Sequence, residues 1–161
     1  YQYKTDFKCL MPSNLFGPND NYDLQNSHFL PAVIKKLYFA KIQNKKEIMF
    51  WGTGNAKREM TYVDEIADAC IFFIKKKTNH SLINIGSGYE KSVKTFIKLI
   101  AKKMKLKTKI KFNNDKSLDG TPRKIIDCNI AKSYGWKPKY KFEKCLDLTL
   151  NDFYKNKKKY T

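Results

Sequence analysis

The sequence predicts an α/β layer structure, and two observations carry that prediction. Short apolar runs of strand length alternate along the chain with longer stretches whose apolar residues recur three and four apart. Glycine- and proline-containing loops punctuate most changes of period. The chain has 161 residues, enough for one domain with one real core, since a protein of that size buries about 70% of its unfolded surface. With 42% apolar and 14% aromatic residues but a mean hydropathy of -0.62, it lies outside the disordered and membrane classes. No apolar stretch reaches spanning length, so no membrane partner is expected. Without an internal repeat or a flexible linker, residues 1–161 are expected to form a single unit.

The first element is the apolar run Phe7 to Met11, a strand that ends at Pro12 and opens into a loop, Pro12 to Asp23, rich in Pro, Gly, Asn and Asp. Loops at strand ends are where α/β proteins contact ligands. From Ser27 to about Ile42, Leu30, Val33, Ile34, Leu37 and Tyr38 recur at helical spacing, and Pro31 is tolerated because it falls in the first turn. Glu47 to Trp51 reads as a strand broken by Gly52-Thr53-Gly54, and Glu59 to Val63 alternates as another. Asp64 can cap the helix Glu65 to about Lys76, which is expected to bury Ile66, Ala69, Cys70 and Phe73. Leu82 to Ile85 makes a strand ended by Gly86-Ser87-Gly88, and Ser92 is a good cap for a helix with Val93, Phe96, Ile97, Ile100 and Met104 on one face. A strand at Lys109 to Phe112, a polar loop from Asn113 to Arg123 and a terminal helix from Phe142 to about Asn156 complete the order.

The net charge of +18 raises the possibility of a nucleic-acid partner, because lysines that neutralise phosphates release counterions. The composition argues against it. Of the 33 basic residues, 31 are lysine, whereas base edges and bidentate phosphate contacts favour the arginine fork. Runs such as Lys75 to Lys77 and Lys157 to Lys159 follow helical stretches, where positive charge complements the carbonyl end of the dipole. They read as a solvated lysine face. Cys9, Cys70, Cys128 and Cys145 never form Cys-x-x-Cys and sit among apolar neighbours, so they read as reduced core residues of a cytoplasmic protein. The two histidines, His28 and His80, are far apart and have no cysteine at ligand spacing, so no metal site is expected.

Several residues have chemistry suited to a cleft. Pro12-Ser13-Asn14-Leu15 joins free backbone groups to a short amide, which suits a ribose or carboxamide and equally an ordinary turn. His28 stands at a helix start beside Asn26 and Ser27, able to act as acid or base near neutral pH, or simply to be structural. Lys36 follows two helical turns later, so both can face one cleft, where a cation suits a pyrophosphate. Trp51 before the glycine turn can pack on a sugar or base or belong to the core. Arg58 suits a diphosphate, and Asp119 can accept hydrogen bonds from sugar or ribose hydroxyls.

Four segments together resemble the extended short-chain dehydrogenase/reductase family, and within it the GDP-L-fucose synthases. They are Met11-Pro-Ser-Asn-Leu-Phe-Gly-Pro-Asn-Asp-Asn21, Asn26-Ser-His-Phe-Leu-Pro-Ala32, Trp51-Gly-Thr-Gly-Asn-Ala-Lys-Arg-Glu59 and Asp119-Gly-Thr-Pro-Arg-Lys124. Tyr62-Val-Asp-Glu-Ile-Ala-Asp-Ala69, Ile83-Asn-Ile-Gly-Ser-Gly88 and Tyr134-Gly-Trp-Lys-Pro138 extend the resemblance over nearly the whole chain. It implies the carboxyl-terminal part of a Rossmann-type reductase, including the smaller substrate-binding lobe. The implied reaction is NADPH-dependent 3,5-epimerisation and 4-reduction of GDP-4-keto-6-deoxy-D-mannose to GDP-L-fucose.

By that resemblance Pro12, Ser13, Asn14, Leu15 and His28 contact NADP(H), and His28 is the acid in epimerisation. Lys36, at a position commonly arginine in the family, Trp51, Arg58 and Asp119 bind substrate, with Arg123 or Lys124 as neighbours. Another epimerase or dehydratase of the extended family is the alternative, and a basic nucleic-acid-binding module a more distant one.

Reduction in this family uses a glycine-rich fingerprint, a Ser or Thr, and a tyrosine followed four residues later by lysine. The pairs Gly52/Gly54 and Gly86/Gly88 are followed three residues on by Lys57 and Lys91, so neither completes Gly-x-Gly-x-x-Gly. Tyr140/Lys144 and Tyr154/Lys158 match the spacing no more often than composition predicts, and both lie far downstream of the family's pair. None of the four cysteines inherits the family's epimerisation role. With no starting methionine, the expectation is an absent amino-terminal dinucleotide-binding half, through which the family forms homodimers, and an isolated chain that is inactive.

Overall fold

The computed structural model describes residues 2–3 and 5–160; Tyr1, Lys4 and Thr161, at the margins of the expected unit, lie outside them. In chain order the elements are β1 (Cys9–Pro12), β2 (Asn14–Phe16), α1 (Phe29–Ile42), β3 (Glu47–Phe50), β4 (Lys57–Tyr62), α2 (Val63–Lys75), β5 (Leu82–Ile85), β6 (Glu90–Ser92), α3 (Val93–Lys103), β7 (Lys109–Phe112), β8 (Arg123–Lys124), α4 (Asn129–Ser133), α5 (Phe142–Lys155) and α6 (Lys157–Tyr160). A single 3-10 turn, Lys116–Leu118, interrupts the polar loop before β8.

Parallel pairing dominates, as alternating strands and helices require. β1 pairs with β5 and β3 with β7, both parallel and in continuous register from Cys9↔Leu82 and from Glu47↔Lys109. β4 is the hub of the remaining sheet: parallel to β2, antiparallel to β6, and parallel to β8 through Lys57↔Arg123. The main core gathers the inner faces of α1, α3 and α5 against this hub, with Phe16, Ile34, Leu37, Phe96, Ile100 and Phe153 all at most 2% exposed. A smaller cluster packs Ala69 and Phe73 of α2 on Ile83 and Ile85, closed by Ala131 and Trp136.

The helical stripes behave as their spacing predicts, and Ser92 caps α3 by accepting from the Thr95 amide at 3.1 Å. Four expectations need correction. The loop placed at Pro12 to Asp23 contains β2, because the exposed flank of β4 gives three of its residues a ladder that local turn chemistry cannot reveal. Asp64 does not cap α2. Tyr62 occupies that position without a side-chain bond, and Asp64 lies in the first turn, where its charge still complements the dipole. Cys9 and Cys70 are exposed, since Cys70 falls on the outer side of α2 and Cys9 begins an open-faced strand; only Cys128 and Cys145 are buried, where burial pushes each thiol up to about 11. Finally, β6 and α4 are too short for either period to show in the sequence. No helix among the described residues is long and apolar enough to cross a membrane.

Candidate functional site

The site begins where β1 gives way to β2. The Ser13 amide continues the sheet by donating to the Ile85 carbonyl at 3.1 Å, and its hydroxyl meets Thr61 Oγ1 at 2.6 Å. Asn14 Nδ2 donates to the Glu59 carbonyl at 2.9 Å. Pro12 to Leu15 is therefore strapped to β4 and β5 rather than free to move as a loop.

Opposite stands His28, the residue before α1, in extended backbone and without a side-chain cap bond. The chain is aimed there by Asp23, whose Oδ1 accepts from the amides of Gln25 and Asn26 at 3.0 and 2.9 Å. A third wall, Lys124 to Ile126, is held by the Ile126 amide donating to Glu59 Oε2 at 3.2 Å. Pro12 to Leu15, His28 and Lys124 to Ile126 together enclose an open cavity of about 280 Å³. Burial pushes the Asp20 carboxyl above its ordinary value, opposed by the Asn21 backbone and, less, by His28.

Two turns along α1, Lys36 reaches a second cavity of about 430 Å³ walled by Phe29, Val33, Phe50 and Trp51. Its Nζ lies 4.6 Å from the Phe50 ring centroid and 5.8 Å from that of Trp51. Burial, helped by Lys45, lowers the pKa of this ammonium. Trp51 is 77% exposed while Trp136 is 2% exposed, so Trp136 is the core tryptophan and Trp51 presents a free aromatic face.

Arg58 and Asp119 meet at the glycine turn. Asp119 Oδ1 accepts from the Thr53 amide at 2.7 Å and Oδ2 from the Thr53 hydroxyl at 2.5 Å. Gly52 is required there twice over: its φ is +74°, and a Cβ would fall 2.4 Å from Asp119 Oδ1. Arg58 Nη1 donates to the carbonyls of Lys57 and Thr121 at 2.8 and 2.7 Å, and Nη2 to that of Asp119 at 3.4 Å. A guanidinium has five donors, so Arg58 keeps capacity for an anion while framing the loop. Arg123 is committed elsewhere, in a two-point ion pair with Glu90, and His80 lies apart, bonded to the Tyr134 hydroxyl.

Asp119 thus has a clasping role that sequence reading missed, and the clasp is sensitive to pH. Bonds from the Thr53 hydroxyl and amide hold its carboxyl below the ordinary 3.8. With the folded value depressed, the stabilisation is fully present above the unfolded value and is lost as pH falls through the folded one. Asp119→Asn is expected to unfold at lower temperature than the native chain near neutrality, with the difference shrinking as pH falls below the ordinary carboxylate value and through the depressed folded one. A difference that stays constant across a pH series of melting curves would sink this.

Sequence reading also missed Glu59 and Thr61, both fully buried on β4. The available signal was an alternation that places a carboxyl and a hydroxyl on the inward side of a strand between Arg58 and Tyr62. Among the described residues no group of three His, Cys, Asp or Glu side chains is placed to hold a metal ion.

The family described as NAD dependent epimerase/dehydratase matches residues 1–86. The chain is 38% identical over 146 residues to GDP-L-fucose synthase 1 of Arabidopsis thaliana, covering 91% of this chain and 45% of that protein. It is 35% identical over 158 residues to GDP-L-colitose synthase of Yersinia pseudotuberculosis, covering 98% and 50%. Its fold superposes on MlghC, the GDP-mannoheptose C4 reductase of Campylobacter jejuni solved with NADP bound, with a TM-score of 0.79 at 25% identity, over 96% of this chain and 54% of that one. The parallel strand pairs are accordingly part of a Rossmann-type α/β structure. The chain spans about half the length of the curated relatives it matches.

Proposed function

This chain belongs to the NAD dependent epimerase/dehydratase family, and from that premise we propose that it forms the substrate-binding, epimerising half of a GDP-sugar epimerase-reductase. The reaction proposed is that of GDP-L-fucose synthase: 3,5-epimerisation and 4-reduction of GDP-4-keto-6-deoxy-D-mannose with NADP(H). The observation that carries it is the cavity in which His28 and Pro12 to Leu15 share one wall system.

The 4-keto group acidifies the C–H bonds at C3 and C5, so inversion needs a group that holds and returns a proton near neutral pH. His28 has no hydrogen bond that would tie up its ring for capping. Ligand sites usually enclose roughly 300–1,000 Å³, so a cavity of about 280 Å³ fits one ring of an extended ligand rather than a whole dinucleotide. Pro12 to Leu15 would hold the nicotinamide end of NADP(H), which when bound supplies the hydride for C4. The remainder of the cofactor site and the reducing residues belong, in this reading, to a half that precedes residue 1. Arg58 and Lys36 would neutralise the diphosphate, and Trp51 would stack on a flat or apolar ligand face.

The GDP preference is supported by the names of the relatives and is tested by equilibrium binding. GDP-mannose is expected to bind at least tenfold more tightly than UDP- or dTDP-sugars, and Arg58→Ala to weaken it by roughly tenfold. Preference for UDP or dTDP would move the reading to another nucleotide-sugar epimerase or dehydratase. Duplex binding that falls steeply with salt and survives Arg58→Ala would replace it with a nucleic-acid module.

A further inference from the structure

Glu59 and Thr61, two residues apart on β4 and so on one face of the strand, hold the two walls that meet at the His28 cavity. Glu59 receives the Ile126 amide, and Thr61 Oγ1 lies 2.6 Å from the Ser13 hydroxyl. Thr61 Oγ1 also accepts from the Ser87 amide at 2.9 Å. Ser87 is fixed in turn, its hydroxyl donating to the Met60 carbonyl at 2.7 Å and accepting from the Tyr89 amide at 3.0 Å. Among the described residues, the Ser13 hydroxyl and the Ser87 amide are the hydrogen-bond partners of the Thr61 side chain. Thr61 is fully buried, whereas Ser13 is half-buried and lines the cavity.

That difference in burial decides which hydroxyl donates. A hydroxyl carries one proton and two lone pairs, and the Ser87 amide already occupies one lone pair of Thr61. Were Ser13 the donor, Thr61 would accept twice and its own proton would have no acceptor in a place closed to water. Buried donors are rarely left in that state, because the hydration they lose is not replaced. With Thr61 as the donor, both its proton and its lone pairs are used, and the proton left over is that of Ser13, at the cavity surface. The relay therefore runs from the Ser87 N–H to Thr61 Oγ1, from the Thr61 O–H to Ser13 Oγ, and from the Ser13 O–H outward. Hydrogen bonds chained in one sense polarise one another, which makes Ser13 a better donor than an isolated serine.

We propose that Thr61 is a positioning residue whose hydroxyl commits Ser13 to donate a hydrogen bond into the His28 cavity, so that the cavity selects a ligand with a carbonyl oxygen at that point. The identity of that oxygen, the carboxamide oxygen of nicotinamide, rests on the function proposed above; the direction of the relay does not. The direction is read by NMR of the labelled chain. The Thr61 hydroxyl proton is expected to exchange slowly enough with water to be seen, and the Ser13 proton to exchange too fast. A protected Ser13 proton beside an unseen Thr61 proton would overturn the relay. The ligand is read by cofactor binding to the enzyme in which this segment is joined to its dinucleotide-binding half. The thionicotinamide analogue of NADP(H), whose sulfur is a poor acceptor, should bind about three- to tenfold more weakly than NADP(H). That gap should close in Ser13→Ala and in Thr61→Val and return in Thr61→Ser. If Thr61→Val fails to fold, Ser13→Ala, at a half-buried position, carries the comparison. A Thr61→Val enzyme that binds both cofactors more weakly but keeps the gap would overturn the proposal and make Thr61 merely structural. A protected Thr61 proton without any gap in the native enzyme would overturn the nicotinamide assignment and leave the relay standing.

Discussion

Glu59→Ala is expected to cost about 3–5 kcal/mol of stability, seen as a large drop in the midpoint of urea unfolding. Glu59 is fully buried at the centre of β4. Its Oε1 accepts from the Gly88 amide at 2.7 Å and its Oε2 from the Ile126 amide at 3.2 Å, so one side chain ties together two loops more than thirty residues apart. Removing it orphans two N–H groups at roughly 1–3 kcal/mol each and leaves a void. The fit is close: a Cβ on Gly86 would lie 2.3 Å from Glu59 Oε1, so Gly86→Ala should share part of the loss. Glu59→Gln separates shape from hydrogen bonding, because it keeps the volume but turns an NH₂ group toward one of the two amide donors. It should therefore fall between alanine and the native chain. The same change should also loosen the Lys124 to Ile126 wall of the His28 cavity, linking stability to the site. If Glu59→Ala unfolds at the native midpoint, the carboxyl is not the clasp described.

The contrast between Glu59 and Asp119 shows where sequence reading stops. Periodicity found α1, α3 and α5 and most of their inward residues, because an amphipathic helix advertises its buried face in a local repeat. It could not find β2, β6 or β8, each two or three residues long and defined only by a partner far along the chain. Chemistry-bearing residues divide in the same way. His28, Lys36 and Trp51 stand out by residue type, but the structure places His28 in one cavity and Lys36 with Trp51 in another, not in the single cleft that two helical turns suggest. Asp119 was legible as a polar group in a glycine loop, but its engagement with Thr53 depends on a turn whose geometry needs the positive φ of Gly52. Glu59 and Glu65 were invisible as buried carboxyls because their burial comes from segments 29 to 75 residues away. Exposed cysteines at positions 9 and 70 were misread for a related reason: apolar sequence neighbours say little about which face of a strand or helix a side chain occupies.

His28→Gln is expected to reduce proton exchange at C3 and C5 by about 10²–10⁴-fold, the usual contribution of a general acid or base. The measurement is deuterium incorporation from D₂O into the 4-keto sugar by the enzyme in which this segment is joined to its dinucleotide-binding half. Two structural features make the result interpretable. The His28 side chain makes no cap bond to α1, so glutamine, which does not titrate but has similar reach, removes the chemistry without a cap to lose. Arg58 and Trp51 lie on other elements, and Lys36 sits two turns along α1 against the Phe50 and Trp51 rings, so GDP-mannose affinity should stay within about twofold of native if His28 acts on the proton alone. A fall in affinity equal to the fall in exchange would assign His28 to binding. Unchanged deuterium incorporation would remove it from epimerisation, and with it the role of the cavity it shares with Pro12 to Leu15. Reduction of a ketone supplied already epimerised at C3 and C5 should largely survive His28→Gln, because glutamine keeps a polar group of similar reach for the NADP(H) contact and hydride transfer to C4 does not use the proton that serves C3 and C5.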